Sequence, residues 1–151
     1  EVLDGDNAWH CPQCKKRRKT TKTMKITRLP EILIIHLKRF KQHGTTSNKL
    51  ETFVSYPITS LDLTEFWVQP TTQADETVQH GGQYPPFLYN LYGVATHQGT
   101  LKGGHYTSFV KRGRNGWCYF DDTRVYRNVN PSHVVTQHAY VLFFERVRPV
   151  H

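Results

Sequence analysis

Apolar and polar positions alternate with a period of two along much of this chain, which predicts strands rather than helices. Ile32 to Phe40 is continuously apolar at first and then gains polar residues at alternate positions, predicting a central strand whose far end reaches the surface. His36 within it is expected to pack in the core. Phe87 to His97 alternates like a strand. Gln98 to Gly104 then returns the chain into a partner strand over residues 105 to 111, and residues 117 to 121 close the next hairpin across a turn at Arg112 to Gly116. His138 to Phe144 is almost wholly apolar, so it is expected to be an internal closing strand.

Shorter segments carry weaker signals. Thr20 to Thr27 alternates as an exposed strand, and Leu50 to Val54 reads as a strand stopped at Tyr56-Pro57 after a polar turn from Lys41 to Lys49. Leu61 to Trp67 fits either a short strand or a turn of helix. Asn130-Pro131 has the N-cap and first-turn proline that start a short helix through Val135. Gln69 to Pro86 lacks apolar periodicity and is the longest candidate loop. The class is α+β, mostly antiparallel sheet with little helix.

With 151 residues the chain fits one domain or a large piece of one, and its 13% aromatic content suits a β-rich interior. No run of about eighteen apolar residues exists, and the first residues lack the basic and apolar regions of a signal peptide, so a soluble, non-secreted protein is expected. Three cysteines, two of them spaced as CxxC, do not make a disulfide framework and fit a reducing compartment, cytosol or nucleus. The net charge of +8 is concentrated in Lys15-Lys16-Arg17-Arg18-Lys19 and at Lys22, Lys25 and Arg28. Such a run can bind nucleic acid or an acidic protein face, but is more often a solvated surface.

Two clusters carry candidate chemistry. A histidine acting as general base keeps one ring nitrogen free while the other donates to an acceptor that fixes its tautomer. Antiparallel pairing of residues 105 to 111 with 117 to 121 brings Asp121 to His105 as that acceptor; the plainer alternative is a histidine at a strand start and an acidic pair in a turn. Cys118, pointing to the other face by strand parity, reads as a small buried residue rather than a nucleophile. Cys11-Pro12-Gln13-Cys14 reads as a zinc knuckle, but two thiolates do not fill a tetrahedral site. Either further ligands lie outside this sequence or the knuckle holds no metal.

Together these residues resemble the carboxy-terminal half of the catalytic domain of ubiquitin-specific proteases. The resemblance runs from Trp9 to about Arg146: the Cys11 to Lys15 knuckle, Leu29-Pro30, Ile34-Ile35-His36-Leu37-Lys38-Arg39-Phe40, Tyr56-Pro57, Tyr92-Gly93-Val94, Gly103-Gly104-His105-Tyr106, Trp117 to Asp122 and Ala139 to Phe144. It implies a papain-like cysteine protease palm over residues 29 to 148 with part of a zinc-ribbon fingers region over 9 to 28, as one segment of a single catalytic domain.

By the same resemblance His105 is the general base, Asp121 its orienting acid, and Asp122 a neighbour able to support or partly replace it. Gly103, Gly104, Tyr106 and His97 would contact the ubiquitin tail, and the segments Gln69 to Pro86 and Gln98 to Gly104 would clamp it. Cys11 and Cys14 would be half of a structural zinc site with two ligands outside this chain. The nucleophilic cysteine and oxyanion-hole residues would lie upstream, so the segment by itself is expected to be inactive. Expected partners are ubiquitin, ubiquitinated proteins and the amino-terminal half of the domain, in a cytoplasmic, endosome-associated or nuclear setting. Two rival readings are a non-catalytic ubiquitin-binding module and a basic nucleic-acid binder. The second is disfavoured because most aromatics alternate as core instead of interleaving with the basic residues.

Overall fold

The computed structural model describes residues 1–43, 46–68, 86–113 and 116–148. Among these residues thirteen strands run in order: β1 (Val2–Leu3), β2 (Trp9–His10), β3 (Arg17–Arg18), β4 (Thr20–Thr21), β5 (Ile32–His36), β6 (Phe40–His43), β7 (Thr46–Lys49), β8 (Leu61–Asp62), β9 (Leu88–Thr100), β10 (Gly103–Lys111), β11 (Trp117–Asp121), β12 (Arg124–Val129) and β13 (Ala139–Arg146). The helical elements among the described residues are short 3-10 turns at Gly5–Asn7, Thr64–Phe66 and Pro131–His133. The expected antiparallel, helix-poor architecture is therefore what the chain adopts.

The main sheet runs β12-β11-β10-β9-β13-β5, with β8 added beside β9, and its strand pairs are antiparallel. Three small two-stranded sheets, β1-β4, β2-β3 and β6-β7, stand apart from it. β9 is the longest strand because Leu88 to Thr100 offers alternating apolar positions without a proline to interrupt the ladder. Its Tyr89, Leu91 and Val94 are buried with Leu142 and Phe144 of β13, Phe109 of β10 and Trp117 of β11. Tyr56, Phe87 and Val134, from the connecting segments, close this core.

The β9–β13 ladder slips at two places, leaving Tyr92 and Tyr140 without an opposite partner. Each slip inverts the parity of the residues beyond it. On β9 the core positions change from 89 and 91 to 94 and 96, and on β13 the bulge turns Tyr140 toward His36, Phe40 and His97.

Several expectations are corrected. Among the described residues β5 pairs only with β13 and is an edge strand, with Ile32 and Ile34 exposed at 47% and 58%. A β-branched run reports the preference for a strand, not its place in the sheet. His36 is likewise exposed, its ring edge-on to Tyr140 at 4.7 Å between centroids. Leu50 to Val54 forms no strand; the buried guanidinium of Arg39 donates to the carbonyls of Leu50 (3.0 Å) and Thr52 (2.8 Å), which takes the place of a ladder, and a third bond reaches Ala139 O at 2.6 Å.

The pairing falls just before, as β6-β7, inside the stretch read as a polar turn; residues 44–45 of that turn lie outside the described residues. Only Thr20–Thr21 of the 20 to 27 stretch is a strand, although Ile26 bridges Trp67 further on. Asn130 does cap, its side chain accepting from Ser132 N–H at 3.0 Å, but the turn ends at His133. Leu61 to Trp67 contains both readings in sequence, β8 and then a 3-10 turn. Gln69 to Pro86, all but its last residue, lies outside the described residues, as do residues 114–115 of the turn before β11.

Phe144 is fully buried where β5, β9 and β13 meet. Truncation to Phe144→Ala is expected to cost about 3–5 kcal/mol, whereas Val125→Ala on exposed β12 stays within about 0.5 kcal/mol. Denaturant midpoints of the two variants measure the difference.

Candidate active site

His105 stands near the start of β10 and Asp121 at the end of β11. The two strands pair with Ser108 opposite Phe120, and extending that register sets Asp121 across from Thr107. His105 is then its diagonal neighbour on the same face, within reach of a long side chain. Imidazole Nε2 lies 2.6 Å from Asp121 Oδ1. A carboxylate can only accept, so Nε2–H is the donor, and Nδ1 is left for a reacting group. Among the described residues Asp121 is the imidazole's one hydrogen-bond partner.

The hydrogen bond to Asp121 raises the His105 pKa above its usual 6.5; desolvation opposes the shift, and the charges of Asp121 and Asp122 add to it. Asp122 has left-handed backbone (φ 50°), and its carboxylate joins the His105 imidazole and the Asp121 carboxylate in one group whose ligand atoms lie within 4.8 Å of one another. The dyad is half open, with side-chain exposures of 50% for His105 and 32% for Asp121, so a substrate can reach it. Cys118 is buried on the other face of β11, opposite Val110, in keeping with its parity.

Three of the other residues singled out from the sequence, His97, Gly104 and Tyr106, form a second group on the opposite face of β10 from His105. Tyr106 pairs with His97 across β9, and their ring centroids are 4.6 Å apart. Phe40 and Tyr140 complete the enclosure of His97 at 5.5 and 5.9 Å. Sequence reasoning missed both, because only the bulge at Tyr140 turns that ring inward.

Burial, reinforced by the Lys49 cation, lowers the His97 pKa below 6.5; Lys49 Nζ donates to His97 O at 2.6 Å, while His97 Nδ1 is buried without a partner among the described residues. Gly104 owes its missing side chain to this histidine. A Cβ there would clash with the Nε2 edge of the His97 ring and lie 2.6 Å from Gln98 O. Gly103 has open space around it, and the chain reverses between β9 and β10 through Leu101-Lys102 with Gly99 at φ 111°. Tyr106 remains 58% exposed.

At the far end of the chain Cys11 and Cys14 bracket a tight turn between β2 and β3. Lys15 N–H donates to Cys11 O (2.8 Å), Cys11 N–H to Lys16 O (3.0 Å), and Lys15 is left-handed at φ 53°. Arg18 first, then the Lys16 N–H and Cys11, lower the Cys14 thiol pKa. A lowered thiol pKa with a second thiol beside it is chemistry that suits a zinc-like dication.

The mostly antiparallel sheet with few, short helical turns fits a papain-like palm. The family model for ubiquitin carboxyl-terminal hydrolase matches residues 5–144. The chain belongs to that family, in its ubiquitin-specific protease branch. Ubiquitin carboxyl-terminal hydrolase 4 of Saccharomyces cerevisiae (strain YJM789) is 50% identical over 154 residues, covering 97% of this chain and 16% of that protein. A yeast SAGA DUB module with a mutant Sgf73 matches with TM-score 0.76 and 28% identity, over 100% of this chain and 31% of that chain. The SAGA Ubp8/Sgf11/Sus1/Sgf73 DUB module bound to ubiquitin aldehyde matches with TM-score 0.72 and 30% identity, again over 100% and 31%. The chain spans 12–18% of the length of curated relatives such as the Saccharomyces cerevisiae hydrolase. Among the described residues no helix is long and apolar enough to cross a membrane.

The two histidines are expected to titrate on opposite sides of 6.5, His105 above and His97 below. The stabilisation from the His105–Asp121 bond is fully present below 6.5 and is lost as pH rises through the raised His105 value. For His97 the unfolded chain takes up the proton first, so its contribution grows as pH rises from the lowered value to 6.5. Ring-proton chemical shifts recorded from about pH 5 to about 8 measure both, and Asp121→Asn should bring His105 back down toward 6.5 while leaving His97 in place.

Proposed function

We propose that this chain supplies the base and orienting acid of a thiol-dependent deubiquitinase, which hydrolyses the peptide or isopeptide bond after the last glycine of ubiquitin. The observation that carries the reading is the Nε2–Asp121 bond, which leaves Nδ1 of His105 free on an open face. The names of the relatives and the ubiquitin aldehyde bound in one solved relative support ubiquitin as the partner.

The nucleophile is a cysteine from another part of the polypeptide, since the three thiols here are a buried one facing away and two in the knuckle. In the assembled site Nδ1 of His105 takes the thiol proton, and the thiolate attacks the carbonyl of the last glycine. Collapse of the tetrahedral intermediate expels the lysine or α-amine, protonated by His105, and leaves a thioester. His105 then draws a proton from water as it hydrolyses the thioester. Asp121 keeps Nε2 protonated and stabilises the imidazolium, with Asp122 adding negative field.

Tyr106 and the glycine turn Gly103-Gly104 flank the path of the ubiquitin tail, and His97, buried against the Tyr106 ring, holds that ring in place instead of touching the tail. Cys11 and Cys14 hold half of a zinc site whose role is to tie the knuckle to a second one. The isolated chain, without the thiol, is inactive.

In the complete enzyme, His105→Ala should lower kcat on a ubiquitin-tail ester by at least about a thousandfold, and Asp121→Asn should lower it less. Undiminished turnover in His105→Ala would refute the assignment, and ubiquitin binding without turnover by the unaltered enzyme would mark a binding module instead. Replacing Cys11 and Cys14 together by Ser should remove about one equivalent of zinc, read by atomic absorption.

A further inference from the structure

The face of the sheet opposite the dyad carries a second concave site. In the β11–β12 ladder the register slips between Trp117 and Tyr119, so that Arg127 and Asn128 both lie opposite Cys118. Asn128 takes left-handed backbone, φ 56°, a conformation asparagine tolerates better than most residues. Bulges of this kind re-aim side chains and are common beside binding sites. Arg112 comes directly after β10 and reaches the same place, its backbone N–H bonded to Gly116 O at 2.9 Å. Arg112, Cys118, Arg127 and Asn128 line a cavity of about 430 Å³.

The charge there is unbalanced. Lys19, Arg146 and Arg148 each face a carboxylate, Asp4 for the first and Glu31 for the other two. Among the described residues neither the Arg112 nor the Arg127 guanidinium has an ion pair or a hydrogen bond. Two forked donors, one just after β10 and the other on β12, that open on one cavity call for an anion with oxygens in more than one plane. A carboxylate, planar and singly charged, matches one guanidinium; a tetrahedral dianion can satisfy two at once.

We propose that this pocket is a binding site for a phosphoryl oxyanion, with Arg112 and Arg127 as its charged donors and the Asn128 amide beside them. Cys118 forms the apolar wall. Because it lies on the face away from His105, the site does not depend on the catalytic assignment.

Calorimetric titration of the full-length polypeptide with inorganic phosphate, at constant ionic strength with chloride as the balancing ion, tests it. Saturable one-site binding is expected, weakened about tenfold by Arg112→Gln and by Arg127→Gln, as for loss of a charged hydrogen bond, and unchanged by Lys38→Gln. Arg127→Lys keeps the charge and loses the fork, so it should fall between wild type and Arg127→Gln, which guards against a folding defect in the glutamine variant. Acetate should bind at least about tenfold more weakly than phosphate. Absence of saturable binding, equal affinity in the arginine and Lys38 variants, or acetate binding as tightly as phosphate would overturn the proposal.

Discussion

The register between β10 and β11 is the constraint on which the candidate site depends. A slip of one residue would send Asp121 to the face away from His105, because side chains alternate along a strand. The dyad is too exposed to enforce that register itself, since a half-open ion pair contributes little. The enforcement comes from further along the same two strands. Phe109 lies directly opposite Tyr119 with ring centroids 4.8 Å apart, and Trp117 is buried at the strand's other end. Core burial, at about 25 cal/mol per Å² of apolar area, thus sets the geometry of a polar pair that contributes little to holding it.

One strand separates two histidines into opposite electrostatic settings. His105 faces two carboxylates and holds its proton more tightly than usual; His97 is enclosed by Phe40, Tyr106 and Tyr140 with the Lys49 cation at its carbonyl, and gives its proton up more readily. Gly104 is the hinge between the two. Its lack of a side chain lets the His97 ring lie against the β10 backbone one residue before His105. The aromatic group therefore supports the strand that carries His105 while facing the other way.

Bulges account for most of what alternation alone could not place. Tyr92, Tyr140 and the Arg127-Asn128 pair are the points where the ladders slip. The first moves the buried positions of β9 to the other parity, the second builds the wall around His97, and the third opens the cationic cavity. Arg39 has the same standing: a basic residue after an apolar run reads as a surface position, yet it is buried and bonded to three backbone carbonyls from two distant segments.

The order of residues was enough to define the strands β9, β10, β11 and β13, the facing of His105 and Asp121, and the turn of Cys118 to the opposite face, because strand periodicity and hairpin pairing are local and have a period of two. The boxes of residues shared with ubiquitin-specific proteases marked the family. Long-range packing settled that β5 lies at an edge, that Leu50 to Val54 is held by a guanidinium instead of a ladder, and that His97, Tyr106 and Gly104 face away from the dyad. Those outcomes turn on single-residue slips and on contacts between segments up to 113 positions apart, as between Ile32 and Glu145, and neither leaves a periodic trace along the chain.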